Sequence, residues 1–220
     1  MTKPTFAILD PEYTYSVPMK QTISGITDIM SHTFESYFTR EKGAYLQSRF
    51  CESILKTCVT FAEVLVKNPQ DYEARANIMW ASSMAINGIC SYGQQVAWSV
   101  HAIEHELSAF YDITHGIGLA ILTPYWMEYV LNEDTKWRFV EYGKNVWELH
   151  GATDMEIAKK AIEKTREFFV GLGLPTKLSE VGIDDTYFEQ MAKKAASLNL
   201  ENAFVPLYAD DVKNILMMAL

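Results

Sequence analysis

Four of the five histidines in this 220-residue chain fall in two compact stretches, and one of them shares its stretch with an aspartate. Asp28 and His32 are four residues apart in Gly25-Ile-Thr-Asp28-Ile-Met-Ser-His32. On a helix that spacing puts both side chains on one face, a turn apart, as two ligands of one cation require. The neighbours are apolar or small, so an ionised aspartate there is costly unless it is paired or bound to a cation. Taken alone, the pair could equally be a hydrogen bond on a helix surface. The second stretch is His101-Ala-Ile-Glu-His105-Glu-Leu-Ser-Ala-Phe-Tyr-Asp-Ile-Thr-His115. His101 and His105 repeat the four-residue spacing, and His115 is expected in a short break between helices, where it can turn back toward them. Asp28, His32, His101, His105 and His115 make five candidates for a four-ligand site, which leaves one polar side chain near the cation but not on it. One carboxylate with three imidazoles suits Fe2+, Zn2+, Co2+ or Ni2+ better than Mg2+ or Ca2+, which prefer oxygen.

The elements that must position these groups read as helices almost throughout. Apolar periodicity predicts helices near 18–38, 44–66, 71–89, 94–110, 116–131 and 134–149. Pro18 suits a first turn, Pro124 is expected to kink the fifth helix, and His150 is expected to complement the end of the sixth. Thr153 and Glu156 form a capping box that opens a seventh helix, closed by Gly171-Leu-Gly173-Leu-Pro175. Shorter helices are expected from Asp184 and Asp210. Only Thr5-Phe6-Ala7-Ile8-Leu9, ahead of Asp10-Pro11, reads as a strand, and one strand makes no sheet. The predicted fold is all-α: a multi-helix bundle over 16–220, with a strand-like stub over 1–15 whose partners lie outside the chain.

Composition narrows the function classes. A formal net charge of −9 and a pI near 5.1 argue against a nucleic-acid surface, which needs clustered Lys and Arg. Cys51, Cys58 and Cys90 form no CxxC pair; Cys51 and Cys58, seven apart, read as two small buried side chains, and the setting as reducing and cytoplasmic. The N-terminus has no apolar signal core, and the longest apolar stretches, 78–90 and 116–130, are shorter than a membrane span.

The segment Ser16-Val-Pro18 through His32, together with His101 through Gly116, resembles the iron-containing alcohol dehydrogenases, with greatest likeness to their NADPH-dependent butanol dehydrogenase branch. Trp80-Ala-Ser-Ser-Met-Ala-Ile-Asn-Gly88 and Leu174-Pro-Thr-Lys-Leu-Ser-Glu-Val-Gly182 extend the likeness over nearly the whole chain. The resemblance implies the metal-binding C-terminal domain, dehydroquinate-synthase-like, of an enzyme interconverting primary alcohols and aldehydes. It further implies Fe2+, with Zn2+ as the alternative, on Asp28, His32, His101 and His115, and NADP(H) or NAD(H) in the complete enzyme. His105 would be the catalytic proton relay, Tyr92 would line the alcohol pocket, and Gln21 would approach the cofactor. Family members begin with a nucleotide-binding α/β domain, and its glycine-rich loop is not found here. The nearest fragment, Gly116-Ile-Gly118, has Ile121 where a third glycine is needed. The expectation is therefore an isolated domain, inactive alone, whose partner is the absent nucleotide-binding domain and whose uncovered apolar face drives homo-oligomerisation. Two rival readings are a di-iron bundle using Glu35, Glu104 or Glu106, and an interaction module with no metal. The first lacks a Glu-x-x-His motif on two helices.

Overall fold

A computed structural model describes residues 5–220. Among them are nine α-helices and no strand: α1 (Met19–Tyr37), α2 (Tyr45–Lys67), α3 (Tyr72–Ile86), α4 (Ser99–Tyr111), α5 (His115–Val130), α6 (Lys136–Asn145), α7 (Asp154–Gly171), α8 (Phe188–Ala196) and α9 (Ala209–Ala219). Short 3-10 turns sit at Pro11–Thr14, Leu178–Val181 and Leu200–Asn202. The all-helical expectation holds. Residues 5–10 pair with nothing and form no strand, and Phe6 and Ile8 are largely exposed. A lone extended segment has no ladder to join, so the strand-like stub remains irregular here; residues 1–4 of it lie outside the described residues.

Helix α1 is the hub, packing on α2, α3, α4 and α5. It tolerates so many neighbours because its buried positions alternate bulky and small groups, with Ile26, Met30 and Phe34 beside Thr22, Ser24, Thr27 and Ser31. Two of the buried hydroxyls return hydrogen bonds to the helix itself, Thr27 Oγ1 to the Ile23 carbonyl at 3.1 Å and Thr33 Oγ1 to that of Ile29 at 2.7 Å, whereas Ser31 Oγ is buried without a partner. Helix α5 is buried nearly all round, the expected state of a helix apolar on every face. Pro124 lies inside α5, and the helix continues past it to Val130. The far end of the core is aromatic: Phe38 meets Trp126 edge-on at 5.6 Å and packs on Phe139 at 4.7 Å, with Phe34 edge-on to Tyr142 at 5.5 Å. Cys51, Cys58 and Cys90 are free and buried, the first two as read from their spacing.

Boundaries shift where backbone chemistry intervenes. α3 stops at Ile86 instead of Ile89, because Gly88 takes φ 97°. α4 starts at Ser99, five residues after Gln94, behind Trp98 at φ 55°. α6 ends at Asn145 rather than Leu149, so exposed His150 lies beyond its last turn and does not complement its dipole. α8 begins at Phe188, four residues after Asp184. The Thr153–Glu156 capping box is present, each side chain 3.2 Å from the other residue's amide. Thr153→Ala is expected to cost about 1 kcal/mol and lower the melting temperature by about 2–4 °C, readable by circular dichroism; an unchanged melting temperature would contradict this capping role.

Candidate metal centre

The two histidine stretches meet because α4 and α5 both pack on α1, α5 more closely than a side chain would allow. A Cβ on Gly116 would lie 2.2 Å from the Ser24 carbonyl oxygen, so the first turn of α5 abuts α1 only because that position is glycine. His115, expected in a loop, is instead the first residue of α5, behind Thr114. That close approach brings its ring to the Asp28–His32 face. Helix α4 delivers His101 from the other side.

The side chains converge on one atom. Oδ1 of Asp28 lies 3.4 Å from Nε2 of His32, 3.5 Å from Nε2 of His101 and 3.5 Å from Nε2 of His115. Asp28, His101 and His115 offer ligand atoms all within 4.8 Å of one another, and His32 joins them through its contact with Asp28. These separations are long for hydrogen bonds, and Asp28 Oδ1 and His101 Nε2 are buried with no hydrogen-bond partner. Four ligands about 2.0–2.2 Å from a common tetrahedral centre would stand about 3.3–3.6 Å apart, the range of all three contacts to Asp28. The donor set fits a cation of the iron or zinc kind.

Behind this ring sit two buried carboxylates. Glu35 of α1 accepts the backbone amides of Ser99 (2.8 Å), Val100 (2.8 Å) and His101 (3.0 Å), and its Oε1 is 3.3 Å from Nδ1 of His101. It thus caps α4 from another helix, where amides have no intrahelical acceptor and the dipole favours an anion. Glu104 of α4 is wholly buried, hydrogen-bonds Nδ1 of His115, and accepts Ser108 Oγ at 2.6 Å. Nδ1 of His32, by contrast, is buried and unpartnered. Trp98 closes one side, its ring edge-on to His32 and His101 at 5.2 Å each. Sequence reading missed the part played by Glu35 and Glu104. The available signal was spacing: each follows a histidine, His32 or His101, by three residues, within a mostly apolar helix.

The electrostatics follow from this crowding. Burial opposes ionisation of Asp28, but the imidazoles of His101 and His115 outweigh it and hold the carboxyl well below its usual range. His115 is pushed up to about 9 by the carboxylates of Asp28 and then Glu104, against burial. His101 also rises, burial being outweighed by Asp28 and Glu35. His32 falls, through burial and then the neighbouring His101.

His105 lies one turn beyond His101 on α4, its ring 5.3 Å from that of His115, and burial followed by the charge of His115 lowers its pKa. It lines a cleft of about 360 Å³ with His32, His101, His115, Trp98 and Leu198. A second cleft, of about 450 Å³, opens on the other side of Asp28 and His32 and includes Gln21, Gly25 and Ser82. Tyr92 sits in the turn after α3, 71% exposed, and is not among the residues lining either cleft. Asp28, His32, His101, His105 and His115 are therefore brought together, Gln21 lies on the adjoining cleft, and Tyr92 stands apart.

Comparison with known proteins agrees with this architecture. The NADH-dependent butanol dehydrogenase B of Clostridium acetobutylicum is 57% identical over 89% of this chain and 50% of its own length. The NADH-dependent butanol dehydrogenase A of the same organism is 54% identical over 97% of this chain and 56% of its own. Among solved structures, the substrate- and cofactor-free aldehyde reductase YqhD from E. coli superposes with a TM-score of 0.92 at 34% identity, covering 99% of this chain and 58% of that one. The chain thus spans about half the length of the curated relatives it matches. The family described as "Fe-containing alcohol dehydrogenase family, C-terminal" matches residues 22–220, and the chain belongs to that family.

Proposed function

We propose that Asp28, His32, His101 and His115 together hold one divalent cation, Fe2+ or in its place Zn2+, and that this chain is the metal-binding part of an NAD(P)H-dependent enzyme interconverting primary alcohols and aldehydes of the butanol type. The observation that carries the reading is the set of three Nε2 atoms 3.4–3.5 Å from one buried, unpartnered carboxylate oxygen. Support for the reaction comes from the names of the relatives, two NADH-dependent butanol dehydrogenases and an NADPH-dependent aldehyde reductase. Those names divide between the two nicotinamides, so either fits.

When bound, the cation supplies Lewis acidity to the oxygen of the alcohol or carbonyl. The chain supplies the rest of the surroundings. His101 and Glu104 are buried, so the inner side of the half-exposed donor set backs onto a low-dielectric wall that strengthens its hold on charge. Trp98 and Leu198 give the 360 Å³ cleft apolar surface for a short alkyl chain. His105 projects into the same cleft with a lowered pKa, so near neutral pH its imidazole accepts the hydroxyl proton and passes it to solvent. Gln21 stands on the neighbouring cleft beside Asp28, where a nicotinamide amide could be met by hydrogen bonds. The exposed ring of Tyr92 is left to complete the alcohol pocket together with protein outside this chain. Hydride transfer itself belongs to the cofactor.

The nucleotide-binding half is the partner that this reading requires, and the 220-residue chain by itself should show negligible reduction of butyraldehyde with NADPH or NADH. Exposed apolar side chains such as Trp80, Ile86 and Tyr92 accord with self-association as a homo-oligomer. Among the described residues no helix is long and apolar enough to cross a membrane, which accords with a cytoplasmic setting. A di-iron centre is the weaker reading, because Glu35 and Glu104 each back a different imidazole rather than bridging.

Elemental analysis of anaerobically purified chain should give one metal per chain, falling to background in Asp28→Asn. Two metals per chain, or content indifferent to Asp28, would contradict the site. The pH dependence has a definite sign. Without metal, the elevated pKa of His115 contributes stability that is complete below 6.5 and lost as pH rises through about 9. A cation must displace that proton, so its binding strengthens over the same window. The metal-induced rise in melting temperature should therefore grow from pH 6.5 to 9; a flat or falling difference would contradict it.

A further inference from the structure

The metal reading leaves two buried anions unexplained. Glu35 and Glu104 are 6% and 0% exposed, on helices that could have carried apolar side chains at those positions. Burying a carboxylate is costly unless its oxygens are engaged. Each is engaged, and each reaches the nitrogen of a histidine that faces away from Asp28: Glu35 Oε1 to His101 Nδ1 at 3.3 Å, and Glu104 Oε2 to His115 Nδ1. Neither can be a further ligand of the same cation, because an imidazole stands between.

We propose that Glu35 and Glu104 are positioning residues that hold His101 and His115 in the tautomer with a proton on Nδ1 and a free lone pair on Nε2, and so set the affinity of the site. The inference rests on the metal reading above. Both rings present Nε2 to Asp28 at 3.5 Å, the orientation this tautomer requires. A carboxylate behind a ligating imidazole fixes its tautomer and raises its basicity. The third imidazole, His32, has a buried Nδ1 with no partner, so the ring is backed on two sides only.

The two carboxylates divide the work. Glu35 also satisfies the amides of Ser99, Val100 and His101, which couples the start of α4 to the His101 ring. Glu104 touches no backbone amide, and its second oxygen is steadied by Ser108. Gly118 makes room for it: a Cβ there would stand 2.6 Å from Glu104 Oε1 and 2.8 Å from its Cγ. Gly118→Ala would therefore push the carboxylate without removing its charge.

The test is zinc affinity of the 220-residue chain, measured by competition with a chromophoric chelator, for the parent, Glu104→Gln, Glu35→Gln and Gly118→Ala. Glu104→Gln should weaken Zn2+ binding by about 10–100-fold at unchanged one-to-one stoichiometry, with Glu35→Gln and Gly118→Ala moving in the same direction. In 15N-edited spectra of the zinc-loaded parent, His101 and His115 should both carry Nδ1 protons, and the His115 resonance should move in Glu104→Gln. Far-UV circular dichroism identifies any variant that does not fold; should Glu104→Gln be one, Gly118→Ala decides. A parent that binds no zinc overturns the metal reading itself. A parent that binds zinc while the folded variants match it within about twofold overturns this proposal alone. So does a second zinc per chain lost in both Glu104→Gln and His105→Ala, since Glu104, His105 and His115 also offer atoms within 4.8 Å of one another and Glu104 would then be a ligand.

Discussion

A half-buried aspartate among imidazoles, with no hydrogen-bond donor on its inner oxygen, is the constraint around which this fold is arranged. Asp28 Oδ1 faces three Nε2 atoms, each too far for a good hydrogen bond and each at the spacing of co-ligands. In the absence of a cation, protons do the balancing: His115 and His101 are driven toward the charged form while His32 is driven away from it. In the proposed site a divalent ion would replace that shared proton charge with a fixed one. The helices then have to keep three rings aimed at one point.

Close packing supplies that aim. Glycine at 116 lets α5 touch α1, and glycine at 118 lets Glu104 pass between α4 and α5. Glu35 fastens the first turn of α4 to α1 through three backbone amides, which is why a helix can begin abruptly behind Trp98 in a left-handed conformation. The aromatic cluster of Phe38, Trp126, Phe139 and Tyr142 ties the end of α1 to α5 and α6. Rigid core and polar site are thus parts of the same helices.

Much of this was legible in the sequence, for a physical reason. A spacing of four residues on a helix is a geometric statement, so Asp28 with His32, and His101 with His105, could be placed on shared faces before any fold was known. The capping box at Thr153 was equally local. What could not be read was whatever depended on another helix. His115 opens α5 instead of occupying a loop because the glycine after it packs on Ser24, a contact across the sequence. The roles of Glu35 and Glu104 depend on which imidazole each meets. Periodicity ran past the true ends of α3 and α6 because apolar residues continue where Gly88 and Glu148 adopt positive φ. Tyr92, placed by resemblance near the alcohol, lies exposed and apart from both clefts.

The central claim is that one aspartate and three imidazoles share a single cation. X-ray absorption spectroscopy of the zinc-loaded chain tests it most directly. The account predicts a first shell of nitrogen and oxygen only, at about 2.0–2.2 Å, with outer-shell scattering from three imidazole rings. A sulfur ligand, or scattering from fewer than three imidazoles, would contradict it.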